Sequence, residues 1–199
     1  MTPNMKSLIL SMGIAFILCV QLYAQEAPFS LRMGDKAIDF SGIDQNNENI
    51  TLFDELNNGP VVLMFYRGVW CGSCTKQLSE LEDSINFITD KGGIVIAVTP
   101  EKPEHIKQTL RRTKASFKII HDRDLKIMNA YNVTYRLQDA VIKKYKSAGI
   151  DLRKYNGDNG PNLPVTATYI IGQDHKILFA FFDPDHSKRA TVSQILQNL

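Results

Sequence analysis

The chain has 199 residues, of which 44% are hydrophobic and 22% charged, and its formal net charge is +2. That near-balance gives no electrostatic case for nucleic acid as a partner; pairs such as Arg111-Arg112 and Lys143-Lys144 read as solvated helix faces rather than a binding stripe. Three cysteines exclude a disulfide scaffold, so the chain has to hold itself together with one sizeable core.

The N-terminus reads as a secretory signal peptide over residues 1–24. Lys6 supplies a positive region, Leu8 to Val20 an apolar core, and Leu22-Tyr23-Ala24 ends on a small residue before Gln25. The apolar stretch is short for a spanning helix and is interrupted by Gln21, which leaves an uncleaved anchor as the alternative. Cys19 lies inside it, and Phe16-Ile17-Leu18 lacks the small residue of a lipoprotein cleavage site. The expectation is an exported protein, periplasmic or secreted, with no stable membrane insertion after cleavage and one domain over residues 25–199.

In that domain, Ala37 to Phe40 and Ile50 to Leu52 predict a hairpin around the polar turn Asp44 to Asn49. Val61 to Tyr66 is a continuous apolar run, the mark of a strand covered on both faces, and Ile94 to Val98 repeats it after Gly92-Gly93. Between them Cys74, Leu78, Leu81, Ile85 and Ile88 recur at helical spacing on one stripe. Pro103 opens a second helix through about Lys114, Phe117 to Ile120 reads as a strand, and Asp124 to Tyr131 and Leu137 to Ala148 as helices. Tyr155 to Asn162, rich in Gly, Asn and Asp, reads as a loop. The chain closes with a hairpin, Val165 to Ile171 and Lys176 to Phe182, and a helix capped by Ser187. A parallel βαβ half followed by an antiparallel hairpin and a terminal helix predicts an α/β fold with a central mixed sheet flanked by helices and an N-terminal hairpin extension.

Chemistry concentrates in Trp70-Cys71-Gly72-Ser73-Cys74, where the first buried strand gives way to the amphipathic helix. A thiolate at a helix N-terminus meets unpaired N–H groups and the positive end of the macrodipole, which makes it a nucleophile. Cys74 lies on the buried stripe; Cys71, off its centre, is expected to be the more accessible sulfur. One close pair contributes little loop-closure stability, so redox chemistry is its stronger reading. A zinc site needs two further ligands, and His105, His121, His175 and His186 form no paired motif. Copper delivery would ordinarily use a wider cysteine spacing, and no metal or other cofactor is expected. A redox sensor without turnover, or a metal-binding module, remains the non-enzymatic alternative. Asp122-Arg123-Asp124 reads as a cap and turn, and His175 as a solvated turn residue.

Four motifs carry a family resemblance. Phe65 to Cys74 matches FYRGxWCPxC, Tyr145 to Asp158 a stretch resembling YxxxGIDLxxFNGD, Leu163 to Tyr169 LPVPATF, and Phe182 to Arg189 VDPDxxxR. In this order they resemble the peroxiredoxin-like branch of the alkyl hydroperoxide reductase and thiol-specific antioxidant family, within the thioredoxin-like superfamily. The resemblance implies a thioredoxin-like fold and a Cys71/Cys74 pair cycling between dithiol and disulfide. The implied reaction is thiol-dependent reduction of hydrogen peroxide or organic hydroperoxides, with an external thioredoxin-like dithiol as reductant. Exchange with protein disulfides is the alternative.

The two reactions assign the nucleophile oppositely. Exchange makes Cys71 attack and Cys74 resolve, whereas laying the family's TxxC pattern on the chain makes Cys74 the peroxidatic sulfur. Gly72-Ser73 departs from the family's CPxC, and that dipeptide tunes the reduction potential. Counting back from Gly172 puts Thr166 where the fold's cis-proline usually faces the sulfurs, with its peptide expected trans; an ordinary strand residue is the other reading. Arg67 is placed either to polarise a peroxide or in a surface ion pair, and Trp70 to pack over the sulfurs.

Overall fold

A computed structural model describes residues 30–199; the predicted signal segment and Cys19 lie outside the described residues. The buried strand is β3 (Val61–Phe65), every residue of which is inside. It pairs in parallel with β4 (Ile94–Thr99), Val61 opposite Ile94 and Phe65 opposite Val98, and β4 pairs in parallel with β5 (Lys118–His121). On the other side β3 meets β8 (Thr168–Ile171) antiparallel, and β8 pairs with β9 (Ile177–Phe181). The hairpin β1 (Ser41–Asp44) and β2 (Asn49–Thr51) joins the far edge by antiparallel pairing of β1 with β5. The result is a mixed seven-stranded sheet in the order β2-β1-β5-β4-β3-β8-β9.

Successive strand residues point to opposite faces, so β3 divides the core in two. Leu63 and Phe65 pack on one face with Ile96, Val98, Tyr131 and Tyr169; Val62, Met64 and Tyr66 pack on the other with Cys71, Cys74, Leu78 and Leu81. The second face is covered by α2 (Gly72–Asp83), α3 (Ile85–Thr89) and α4 (Pro103–Thr113). Ser84, at φ −112° and ψ 9°, divides the predicted stripe into two helices without exposing Ile88. Pro103 opens α4 as predicted, and Lys114 closes it in the left-handed region.

Several boundaries differ from the sequence reading for local reasons. The first hairpin arm is Ser41–Asp44 instead of Ala37 to Phe40, because the Asp44 carboxylate accepts from the N–H groups of Asn46 and Glu48 and closes the turn there. Ala37 bonds instead to the His175 carbonyl. A short helix α1 (Leu52–Leu56) follows β2. The helix expected from Asp124 is reduced to α5 (Lys126–Ala130), since Asp124 and Leu125 both have positive φ. The Asp122 carboxylate accepts from Ile127 and Met128 N–H, so the acidic cluster does serve as a cap. After β6 (Thr134–Arg136) and α6 (Asp139–Ser147), the predicted loop begins with α7 (Leu152–Asn156) and a 3-10 turn, and β7 (Asn162–Pro164) pairs with β6 in a separate two-stranded sheet. The terminal helix α8 (Val192–Gln197) is capped by Thr191, whose reciprocal bonds with Gln194 form a capping box. Ser187 instead bonds to Asp185, and the chain between runs inward to place Arg189.

Candidate active site

β3 ends at Phe65, and the chain turns through Gly68, at φ +145°, so that Cys71 N–H bonds to the Gly68 carbonyl. Cys71 thereby becomes the N-cap of α2 in extended conformation, its own carbonyl accepting from Cys74 and Thr75 N–H. The two cysteines are free thiols. Cys71 is 6% exposed and Cys74 0%, so the order of accessibility expected from the helical stripe is the one found.

The sulfurs divide one negative charge unequally. The hydrogen bond from Cys74 pulls the Cys71 thiol down to about 6 against the cost of burial, helped by Cys74 N–H and the Arg67 and Arg189 charges. Burial pushes Cys74 well above the ordinary thiol range, and the Cys71 charge beside it adds to the rise. The resting pair is therefore a thiolate at Cys71 and a thiol at Cys74.

Arg67 is 2% exposed and belongs to no ion pair among the described residues, which overturns the surface ion-pair alternative. Its Nη2 donates to the Tyr145 hydroxyl at 2.5 Å, and its guanidinium lies 5.0 Å from the Trp70 ring centre and 5.7 Å from that of Tyr145. Those aromatic faces compensate a charge that would be costly to bury alone. Trp70 meets Tyr145 edge-on at 5.5 Å and packs against both the dithiol cluster and the small cluster of Leu137, Leu152 and Leu163. The expected cover over the sulfurs is thus an aromatic wall shared with α6 and α7. Tyr135, from β6, faces the same space, and burial raises its phenol while Arg67 opposes the rise.

Thr166 is buried beside the pair, on a trans peptide. Its hydroxyl accepts from Arg189 Nη1 at 2.5 Å, and Arg189 Nη2 donates to Cys74 Sγ at 3.5 Å. Thr166 therefore acts on the sulfurs through the guanidinium it holds. Sequence reasoning missed Arg189 as a site residue; its signal was the last residue of the VDPDxxxR match. Glu101 was missed as well. It follows β4 at the carboxyl end of the parallel strands, where open α/β sheets place their sites, and its Oε1 accepts from Val69 N–H at 2.8 Å. His175, away from the dithiol, stacks on Phe53 at 3.9 Å.

The family model described as "AhpC/TSA family" matches residues 33–180. The chain belongs to the AhpC/TSA family. Among proteins similar to this AhpC/TSA chain is one from Mycobacterium tuberculosis that is provisionally named a peroxiredoxin, 29% identical over 153 residues, 77% of this chain and 86% of that one. The thiol-disulfide oxidoreductase ResA of Halalkalibacterium halodurans is 30% identical over 103 residues, 51% of this chain and 57% of ResA. In structure, peroxidoxin BcpB of Mycobacterium tuberculosis superposes with a TM-score of 0.65 at 18% identity, covering 84% of this chain and 96% of that one, and so shares its fold.

Proposed function

We propose that this AhpC/TSA-family protein is a thiol-dependent peroxide reductase whose redox centre is Cys71 and Cys74, with Cys71 as the attacking sulfur. The observation that carries the reading is the Cys71 sulfur at the N-terminus of a 12-residue helix, under the charges of Arg67 and Arg189 and hydrogen-bonded by the Cys74 thiol. The Cys71 thiolate attacks the distal peroxide oxygen, the O–O bond breaks, the alcohol leaves and Cys71 becomes a sulfenic acid. The Cys74 sulfur then attacks Cys71, water departs and the disulfide closes. An external dithiol, thioredoxin-like in chemistry, returns both sulfurs to the reduced state. Arg67 and Arg189 stabilise the negative charge that develops on the cleaved oxygen. Arg67 Nε, Arg189 Nε and Trp70 Nε1 are buried donors with no acceptor among the described residues, a supply suited to a peroxide oxygen.

Sulfenic acid trapping decides the assignment. Cys74→Ser should accumulate a dimedone-reactive sulfenic acid with hydrogen peroxide, and Cys71→Ser should not. Sulfenic acid formed only in Cys71→Ser would transfer the attacking role to Cys74; none in either variant would remove the peroxidase reading.

The same geometry favours a second reading, because a low-pKa sulfur backed by a buried thiol also suits attack on protein disulfides. Reduction of insulin disulfides without peroxide consumption would establish it. The apolar N-terminal stretch supports export, and subcellular fractionation of the full chain tests that location.

A further inference from the structure

Peroxide cleavage by this dithiol has a proton balance that the two sulfurs alone do not close. Converting ROOH to ROH and water takes two electrons and two protons. A thiolate and a thiol closing to a disulfide provide both electrons and a single proton.

Behind the turn that carries the dithiol lies a carboxyl group that the steps above leave idle. Glu101 is 0% exposed. Its Oε1 holds Val69 N–H at 2.8 Å, and the Thr109 hydroxyl of α4 faces the same carboxyl. The carboxyl is packed so closely on the turn that a Cβ at Gly68 would stand 2.5 Å from Oε1 and 2.7 Å from Trp70 Nε1. Glu101 belongs to no ion pair among the described residues. From the dithiol turn comes the negative sulfur of Cys71, and from the end of β3 the Tyr66 phenol, fully buried beside Thr99 and Thr109. Arg112 of α4 donates to the Val69 carbonyl at 2.9 Å, and His121 of β5 lies beside the Glu101 backbone.

We propose that Glu101 is protonated while Cys71 is a thiolate and releases its proton as the disulfide forms, supplying the second proton that peroxide cleavage consumes. The inference rests on the peroxidase reading. In balance, Cys71–S⁻, Cys74–SH, Glu101–COOH and ROOH give the Cys71–Cys74 disulfide, Glu101–COO⁻, ROH and H₂O. Sulfur is oxidised, the peroxide oxygens are reduced, and the single negative charge moves from sulfur to carboxylate. Burial pushes the Glu101 carboxyl up to about 8; Val69 N–H and the Thr109 hydroxyl oppose the rise and the Cys71 charge adds to it. Consuming that charge removes its part of the rise, so by linkage the carboxyl becomes more acidic in the oxidised protein. Glu101 meets the dithiol turn through Val69 N–H, and its proton enters the net balance of the reaction.

The test counts protons taken from solvent per disulfide formed, using an indicator dye in weak buffer at pH 7.5, with hydrogen peroxide in one arm and diamide in the other. Both oxidants need two protons for two electrons. Wild type should take up measurably less than one proton, and Glu101→Gln about one. Infrared difference spectra of the wild type should show a protonated carboxyl band in the reduced protein that is lost on oxidation, a readout independent of how the variant folds. Equal uptake by the two proteins, with no carboxyl band, overturns the proposal. Thiols inert to peroxide that still show the wild-type deficit with diamide would overturn the peroxidase reading and leave the proton coupling standing.

Discussion

Arg189 Nη2 lies 3.5 Å from the sulfur of Cys74, a residue 115 positions earlier in the chain. Its Nη1 is anchored on the Thr166 hydroxyl, so the guanidinium fork spans two separate elements and fixes one cation over the dithiol. Replacing it by glutamine keeps a donor and removes the charge. Arg189→Gln should raise the Cys71 midpoint and lower peroxide turnover at neutral pH by about ten- to a hundredfold. Arg189→Lys should recover only part of the loss. Alkylation rate against pH gives the first quantity and steady-state peroxide consumption the second.

The depressed Cys71 pKa has a stability signature with a definite sign. A thiol that ionises more readily when folded adds its full contribution above its unfolded value and loses it as pH falls through the folded one. For Cys71 the window runs from 9.0 down to about 6. Within it, reduced wild type should lose stability relative to Cys71→Ser on acidification, at up to about 1.4 kcal/mol per pH unit, with no further change below it. Denaturant titrations under reducing conditions at several pH values measure the difference.

Gly68 is placed where no other residue fits. Its φ of +145° is strained for any side chain, and a methyl group would collide with the Glu101 carboxyl and the Trp70 indole. Gly68→Ala should cost about 1–3 kcal/mol and move the Cys71 turn, so that thermal stability and peroxide reactivity fall together.

The two hydroxyls near the terminal helix should separate cleanly. Thr191→Ala removes one side of the capping box and should destabilise the protein by about 1 kcal/mol. Ser187→Ala touches only the turn on Asp185 and should leave unfolding almost unchanged. Comparing their chemical unfolding curves tests the revised cap.

The parts of this architecture legible in the sequence are those with a local period or a local motif. Val61–Phe65 and Ile94–Thr99 announced themselves because both faces are buried, and the Cys74-Leu78-Leu81 stripe because one helix face is. The three-residue strands Thr134–Arg136 and Asn162–Pro164 are too short to show alternation, and they pair only with each other. Arg67 was readable as a charge near the sulfurs; its Tyr145 and Trp70 partners give it a buried setting that spacing alone does not encode. Glu101 and Arg189 reach the dithiol from the end of β4 and the C-terminal segment, contacts of tertiary origin without a periodic trace.

The aromatic wall beside the dithiol contains the chain's sole tryptophan. Its indole ring lies under the Arg67 guanidinium and beside the cluster that holds both sulfurs, so a change of charge or bonding at Cys71 alters the field on the one dominant intrinsic fluorophore. The protein thereby carries its own optical reporter. Oxidation, resolution and re-reduction should each leave a distinct emission step in stopped-flow traces, with no label attached and no other indole to subtract.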